Sequence, residues 1–226
     1  MNAAFITAGP LHFASSRFRC FWPARHIPGA AVVHYRDIET GKFPVDALYK
    51  QDAVIFQKVN SPGLMERLHA AGVRVVYDLC DPLHWFSPAE VRDCLPYVDI
   101  LTASTRALAD DLKGWSGLDV TVINDGLDLE THYSDERIKT HEPTPRPRFV
   151  WYGLAGNRIS LYSAFAYLER LHANGYKFEL LVIDDDPNKI IDAPYPVIHW
   201  RWSLEREIEM ITSADIALLT PYPGPW

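Results

Sequence analysis

The chain has 226 residues, a length that allows one large domain or two small ones. Its 22 basic and 29 acidic side chains give a net charge of −7, which argues against a protein that coats nucleic-acid phosphates. A hydrophobic content of 48% and a charged content of 23% exclude general disorder. No apolar run approaches the ~18–20 residues that span a membrane.

The cysteines and the first residues favour the cytoplasm. Cys20, Cys80 and Cys94 are scattered and include no C-x-x-C pair. That usage is typical of a reducing compartment and not of a disulfide framework or a zinc site. Residues 1–5 lack a basic segment and a long apolar segment, so we expect no secretory signal.

Short β-rich runs alternate with helical patterns over residues 1–130. Runs that are apolar on both faces are typical of parallel strands covered by helices on both sides, so the pattern predicts a doubly wound α/β sheet. Ser15 or Ser16 is expected to cap the first helix and Ser104 the last one, which should close at Gly114. The predicted strands are Ala3–Thr7, Ala31–Tyr35, Ala53–Gln57, Val73–Leu79, Ile100–Ala103 and Val120–Ile123, and the predicted helices are Ser15–Ala24, Gly63–Ala71 and Thr105–Lys113.

Residues 131–148 are polar and carry spaced prolines, which favour an extended backbone and predict a stiff linker. After this linker the alternation restarts, so we predict a first unit over 1–130 and a second over 149–226. The second unit ends where a loop should lead into a further helix, and we expect it to be incomplete. Its predicted strands are Phe149–Tyr152, Phe178–Ile183, Val197–Trp200 and Ile216–Leu219, and its predicted helices are Ser160–Asn174 and Leu204–Ser213.

The loop after the first predicted strand carries candidate anion-binding groups. Gly9 ends the strand, and Ser16, Arg17 and Arg19 follow in the first helix. Ligands of open α/β sheets lie at the carboxyl ends of strands, where helix amides and arginines can hold an anion. The alternative is a capped surface helix with solvated arginines, because no G-x-G-x-x-G pattern is present.

A second cluster follows the fourth predicted strand. Asp81, His84 and Trp85 lie within a few residues, and a carboxylate, an imidazole and an indole suit sugar binding and acid–base work. Asp81 and His84 are therefore our candidate catalytic residues. The alternative is that Asp81 forms a turn before Pro82 and that His84 is a surface residue.

The second unit opens with a loop of similar character. Gly153 and Gly156 would let the backbone approach a ligand, and Arg158, after Asn157, could neutralise a phosphate. The alternative is a flexible loop with a surface arginine.

The run Asp184–Asp186 allows two interpretations. Clustered carboxylates can hold Mg²⁺ or Mn²⁺, but the Pro187-Asn188 that follows favours an Asx-type turn, which we prefer. The nine histidines show no metal-binding spacing, and neither a P-loop nor a G-x-S-x-G elbow is present. We therefore predict no metal site and no cofactor.

Several stretches resemble the GT-B glycosyltransferases, in particular the family-four-like "group 1" class. Ile100–Leu129 is similar to that family's serine-containing helix and the asparagine–glycine turn after it. Phe149–Gly153 resembles the strand that opens its donor domain, and Ser213–Pro221 resembles a later strand. The resemblance implies two Rossmann-like domains that transfer a sugar from a nucleotide donor, usually without a bound metal.

By this resemblance the first unit holds the acceptor, with Ser16, Arg17 and Arg19 on that side, and the second unit holds the donor. Gly9, Gly153 and Asn157 correspond to loop residues that lie near the donor diphosphate in this family. Arg158 lies near the position of the family's phosphate-binding basic residue. Asp81 and His84 fall in a loop that often carries a functional histidine. The family's paired donor-gripping glutamates would follow Pro221, so the resemblance implies a chain truncated in its donor domain that turns over little alone.

Two functions follow as hypotheses. The first is a hexosyltransferase-like enzyme of cell-surface polysaccharide or glycoconjugate synthesis, with a nucleotide-sugar donor and a saccharide or lipid-linked acceptor. It would be cytoplasmic, with peripheral contact at the inner face of the membrane. The alternative is a non-catalytic α/β module that binds a nucleotide or a saccharide. A Rossmann oxidoreductase or epimerase is disfavoured because the G-x-G-x-x-G pattern is absent.

Overall fold

A computed structural model describes residues 2–130, 140–186, 188 and 191–220. The chain divides into two compact units, Met1–Leu127 and Asp128–Trp226, and each has its own parallel β-sheet. The predicted fold class, two doubly wound Rossmann-like α/β units of which the second is smaller, is confirmed. Of the predicted linker, residues 131–139 lie outside the described residues, and Arg148 already belongs to a strand.

The first sheet has six parallel strands in the order β2-β1-β3-β4-β5-β6. Its strands are β1 (Ala3–Thr7), β2 (Ala31–His34), β3 (Ala53–Gln57), β4 (Arg74–Leu79), β5 (Ile100–Ala103) and β6 (Val120–Val122). Its helices are α1 (Ala14–Ser16), α2 (Trp22–Arg25), α3 (Tyr35–Glu39), α4 (Pro62–Ala70), α5 (Leu83–Phe86), α6 (Pro88–Cys94) and α7 (Arg106–Ser116), with short 3₁₀ segments at Val45–Lys50 and Leu95–Tyr97.

The second sheet has four parallel strands in the order β10-β7-β8-β9. Its strands are β7 (Arg148–Tyr152), β8 (Glu179–Asp184), β9 (Val197–Arg201) and β10 (Ile216–Ala217). Its helices are α8 (Arg158–Ala173) and α9 (Glu207–Thr212), each preceded by a short tighter turn, Ala155–Asn157 and Leu204–Arg206.

The order of each sheet reverses at its first strand. In the first unit β2 lies on one side of β1 and β3 on the other, and in the second unit β10 and β8 flank β7 in the same way. At such a reversal the connections leave towards opposite faces, and a crevice opens at the carboxyl ends of the strands. Each unit therefore has one edge at which a ligand is expected.

Apolar side chains on both faces of the strands explain why the sheets are doubly covered. In the second unit, Trp151 and Val182 face one core cluster, whereas Val150 and Leu181 face another. Successive strand residues point to opposite faces, so the alternation builds a core on each side. The first unit has one continuous core that includes the fully buried Phe56.

The first helix differs from its prediction. The chain is helical from Ala14 to Arg25, with Arg17–Phe21 wound as a wider π-helix, and Phe13 precedes it without a side-chain cap. The predicted cap by Ser15 or Ser16 is wrong because both serines lie inside the helix. The Ser16 hydroxyl is buried and accepts a hydrogen bond from the Thr7 hydroxyl at 2.8 Å.

The last helix of the first unit, α7, also starts and ends later than predicted. Thr105, not Ser104, caps it by accepting a hydrogen bond from the Leu108 amide at 3.2 Å. Gly117, at φ 75°, ends it. Gly114 lies inside the helix, because a glycine lowers the stability of a helix interior but does not end it. The position after the last turn has a left-handed backbone, a conformation that favours glycine.

The other predicted strands and helices agree with the structure to within two residues, with α9 preceded by the Leu204–Arg206 turn. Three short helices, α3, α5 and α6, were not predicted, and Tyr35 begins α3 and does not extend β2. These helices have only four to seven residues, too few for an apolar period to be recognisable in the sequence. Among the described residues, no helix has both the length and the apolar character needed to cross a membrane.

Candidate functional site

The loop after β1 is closely packed around Gly9. The Gly9 amide donates to the Thr7 hydroxyl at 3.3 Å, and both Thr7 and Ser16 are buried. A Cβ atom added to Gly9 would lie 2.4 Å from Cδ2 of Phe13 and 2.9 Å from Oγ of Ser16. The absence of a side chain is therefore a packing requirement at this edge.

Replacing Gly9 by alanine is expected to lower the free energy of unfolding by about 1–3 kcal/mol, because the new methyl group overlaps Phe13 and the buried Ser16 hydroxyl. Gly114→Ala is the matched control. No atom lies within 4 Å of its added Cβ, and an alanine inside α7 should raise stability by ~0.5–1 kcal/mol. Urea unfolding of both variants measures the difference; equal effects would contradict the packing of this loop.

The two candidate arginines of the first unit are buried, so the alternative of solvated surface arginines is wrong. Arg17 donates from Nη1 to the His12 carbonyl at 3.4 Å. Its guanidinium carbon lies 5.2 Å from the centre of the Phe18 ring and 5.5 Å from that of the Trp22 ring. Arg17 therefore packs on its own helix and on the loop that follows β1.

Arg19 joins the first helix to the ends of the central strands. Its guanidinium binds both carboxylate oxygens of Asp78 on β4, with Nε 3.0 Å from Oδ2. Nη1 donates to the Ile123 carbonyl and to Oδ1 of Asp125, at 3.1 Å from the latter, and Thr102 donates to Oδ1 of Asp78 at 2.6 Å.

These contacts raise the pKa of Arg19. Burial alone would lower the pKa, but the hydrogen bond to Asp78 and the attraction of Asp78 and Asp125 outweigh it. Arg19 thus stays charged and holds the segment after β6 to the sheet. Its contact with an acceptor stays a prediction.

Asp81 lies at the carboxyl edge, two residues beyond the end of β4. Its carboxylate is 47% exposed, and its Oδ2 atom pairs with Nζ of Lys58, whose side chain is 25% exposed. Lys58 directly follows β3 and has a left-handed backbone, at φ 56°. The sequence prediction included Asp81 and missed Lys58.

His84 has different surroundings from Asp81. It is buried, and its Nε2 lies 2.7 Å from Oδ2 of Asp111 on α7. Its ring lies 5.3 Å from the ring of Trp115, and within the described part of the chain Nδ1 has no hydrogen-bond partner. The alternative of a surface histidine is wrong. His84 packs on α7 while Asp81 pairs with Lys58, so these contacts do not join the two predicted catalytic residues.

In the second unit the loop after β7 is fixed by hydrogen bonds at both ends. The Gly153 amide donates to the Ile183 carbonyl at 3.1 Å, and the Ala155 amide donates to Oδ1 of Asp185 at 2.7 Å. A Cβ atom on Gly153 would lie 3.1 Å from the ring of Trp151. Asn157 is exposed immediately before α8.

Arg158, the first residue of α8, is only 1% exposed, so the alternative of a surface arginine is wrong. Its Nε lies 2.5 Å from Oδ2 of Asp184, and its Nη2 donates to the Asp186 carbonyl at 2.6 Å. The hydrogen bond to Asp184 raises the pKa of Arg158 against the opposing effect of burial. Burial and the charge of Arg158 in turn lower the pKa of His199 on β9.

The run Asp184–Asp186 forms the Asx-type turn that the sequence favours. The Asp186 amide donates to Oδ1 of Asp184 at 3.0 Å, and the Asn188 amide donates to Oδ1 of Asp186 at 3.2 Å. The other carboxylate contacts of the run go to Arg158 and to the Ala155 amide. Over the described residues, no three His, Cys, Asp or Glu side chains are grouped to hold a metal ion. The structure therefore places Gly153, Asn157 and Arg158 on one loop and helix start, tied to the end of β8.

Comparisons with known proteins were made by sequence and by structure. No family model matches the sequence, and no curated protein matches it. An alpha-glucosyltransferase solved with UDP and a 13-mer DNA containing a HMU base is 13% identical, with a TM-score of 0.57 over 94% of this chain and 70% of the other. An alpha-glucosyltransferase solved with UDP-glucose and DNA containing an abasic site is 12% identical, with a TM-score of 0.55 over 93% and 69%.

The lipopolysaccharide outer core galactosyltransferase WaaB, in its apo form, is 13% identical, with a TM-score of 0.51 over 90% of this chain and 68% of the other. At these identities the likeness establishes the fold. The chain therefore has the GT-B type of fold, with two Rossmann-like units, that these glycosyltransferases share.

Proposed function

We propose that this protein is a glycosyltransferase that moves a sugar from a nucleotide-sugar donor to a hydroxyl group of an acceptor. One observation carries the proposal: a fold shared over both units with glucosyl- and galactosyltransferases, two of them solved with UDP or UDP-glucose. The half-exposed Asp81 carboxylate, at the carboxyl edge where ligands of such sheets bind, supplies a group suited to the acceptor.

On the donor side, we propose that the loop after β7 binds the nucleoside diphosphate. In this loop Gly153 has no side chain, which lets a ligand approach the backbone, and Asn157 is exposed. The start of the 16-residue helix α8 provides amide groups and the positive end of a helix dipole. Arg158 adds its charge beneath this loop and holds the loop in place through Asp184. Gly9 is a further proposed diphosphate contact, because it follows the carboxyl end of β1, where ligands of such sheets bind.

The proposed reaction needs no covalent intermediate on the protein. The acceptor oxygen forms a bond to the anomeric carbon, and the bond from that carbon to the diphosphate oxygen breaks, leaving its electron pair on the nucleoside diphosphate. The Asp81 carboxylate accepts the proton of the acceptor hydroxyl. Charge that develops on the leaving diphosphate is stabilised by the α8 amides and by Arg158.

We propose a saccharide acceptor. The two alpha-glucosyltransferase structures contain DNA, but a net charge of −7 disfavours a DNA acceptor here. A lipid-linked acceptor, a role in polysaccharide or glycoconjugate synthesis, peripheral contact with the inner membrane face and turnover without a metal are parts of the same proposal.

Asp81→Asn is expected to lower the turnover number for transfer by about 10²-fold, because the amide cannot take the hydroxyl proton although its oxygen still accepts a hydrogen bond. Thermal unfolding should change little, since Asp81 is half exposed. The measurement is release of nucleoside diphosphate from a panel of nucleotide sugars with saccharide acceptors. Asp119→Asn, at a fully exposed carboxylate on the β6 side, is the control and should keep wild-type turnover. Wild-type turnover in Asp81→Asn would remove Asp81 from the mechanism.

The second candidate is a non-catalytic module that binds a nucleotide or a saccharide. One observation favours it: Asp184 already balances the charge of Arg158 within the second unit. Nucleoside diphosphate binding measured by calorimetry, without transfer from any donor, would support this module and contradict the transferase. Absence of both binding and transfer would contradict the two candidates together.

A further inference from the structure

Lys58 adopts a backbone conformation that its residue type disfavours. Among the residues that the structure describes, it is the non-glycine residue with a positive φ, at 56°. A left-handed conformation brings the Cβ atom of an L-residue too close to the following carbonyl oxygen, and glycine avoids that cost. Strained backbone of this kind concentrates at functional sites, which makes the position of Lys58 informative.

That position is the carboxyl end of β3, the strand next to β1, where the order of the first sheet reverses. Lys58 follows Gln57, the last residue of β3, and its amide donates to the Asp78 carbonyl of β4 at 3.0 Å. Because Gln57 pairs with Asp78 in the parallel register, Lys58 and Asp81 leave the sheet at the same edge. The left-handed turn thus lies at the carboxyl edge of the sheet, where ligands of such sheets bind, one strand away from the reversal at β1.

The ion pair made by Lys58 is exposed to solvent, so its contribution to stability is too small to offset the cost of the left-handed backbone. Nζ of Lys58 pairs with Oδ2 of Asp81, and both side chains are partly exposed to solvent. Pairs of this kind contribute little to folding. Within the described residues, the two side-chain contacts of Asp81, from Lys58 and from the Cys80 thiol, both go to Oδ2, which leaves Oδ1 of this half-exposed carboxylate for an acceptor.

We propose that Lys58 is a positioning residue of the acceptor edge. Its ammonium holds Oδ2 of Asp81, so the carboxylate keeps one orientation and presents Oδ1 to the hydroxyl of the acceptor. The left-handed turn at φ 56° brings the ammonium to this carboxylate. The inference rests on the proposed transfer reaction and adds a residue to it.

Replacing Lys58 by glycine separates the strain from the side chain. Lys58→Gly is expected to raise the melting temperature by roughly 2–4 °C, because glycine accepts the positive φ, and to lower kcat for transfer about 10-fold.

Lys58→Met keeps the length of the side chain without its charge and should lower kcat about 10-fold with an unchanged acceptor KM. Lys58→Arg should restore most of kcat. Lys113→Met is the matched control, since Lys113 forms an exposed pair with Asp119, and it should change neither quantity.

A double variant tests whether Lys58 acts through Asp81. If it does, Lys58→Met combined with Asp81→Asn should lose no more kcat than Asp81→Asn alone. Multiplied losses, or wild-type kcat in Lys58→Met while the unaltered protein transfers sugar, would overturn the positioning role and leave the proposed function standing. No transfer from any donor by the unaltered full-length protein would overturn the proposed function and the positioning role with it.

Discussion

Arg19→Met is expected to lower the free energy of unfolding of the first unit by about 3–5 kcal/mol. The side chains of Arg19 and Asp78 are only 4% and 5% exposed, and the guanidinium binds both carboxylate oxygens. Removing Arg19 leaves the Asp78 carboxylate buried, with the Thr102 hydroxyl as its remaining side-chain hydrogen bond. The segment after β6 also loses the contacts of Arg19 with Ile123 and Asp125.

Urea unfolding, combined with hydrogen exchange of peptides from β3 and β4, measures this effect in the first unit alone. Adding Asp78→Asn to Arg19→Met should recover a large part of the loss, because no buried charge then remains unbalanced. Lys113→Met, which breaks an exposed ion pair, should leave the midpoint unchanged. A loss in Arg19→Met no larger than that of Lys113→Met would contradict the buried network.

Arg158→Met is expected to lower the free energy of unfolding of the second unit by about 3 kcal/mol or more, since its partner Asp184 is also fully buried. The start of α8 and the turn at Asp186 lose their common anchor. We also expect kcat for transfer to fall roughly 30- to 1,000-fold, because the loop proposed to hold the diphosphate loses both its position and a nearby charge. Acceptor binding should change less than the chemical step.

Two measurements separate the structural and functional effects of Arg158. Hydrogen exchange of peptides from β8 and α8 reports the stability of the second unit, and Arg206→Met is the control because its pair with Glu209 is exposed. The kcat for transfer, measured at temperatures below the unfolding transition, reports the chemical step. Wild-type kcat in a folded Arg158→Met protein would show that Arg158 contributes to the fold and not to the reaction.

The architecture could be predicted because the strands are apolar on both faces. Ala53–Gln57 and Ile100–Ala103 agree with the structure residue for residue. Helix ends were less predictable because several residues can serve as a cap. Ser16 was assigned a cap and is buried instead, and Gly114 was assigned an end that Gly117 makes.

Asp81 was selected because it lies close to the end of a strand, and its catalytic role stays a prediction. The burial of Arg19 and Arg158 was not predicted. Whether an arginine is solvated or buried depends on its carboxylate partner, and those partners lie 59 and 26 residues away along the chain.

Lys58 was missed for a related reason. Lysine carries no preference for a left-handed backbone, and its pairing with Asp81 follows from the register of β3 against β4. Such a contact can be recognised only once two separate strands are aligned.

The central claim, transfer of a sugar to a hydroxyl, is tested most directly by the mass of the acceptor. The purified full-length protein is incubated with each nucleotide sugar and a panel of saccharides, with Asp81→Asn in parallel, and the products are analysed by mass spectrometry. We expect an acceptor heavier by one sugar residue and the release of nucleoside diphosphate in an amount equal to that of the modified acceptor. Both products should be greatly reduced with Asp81→Asn. Unchanged acceptors with every donor, from a folded protein, would contradict the central claim.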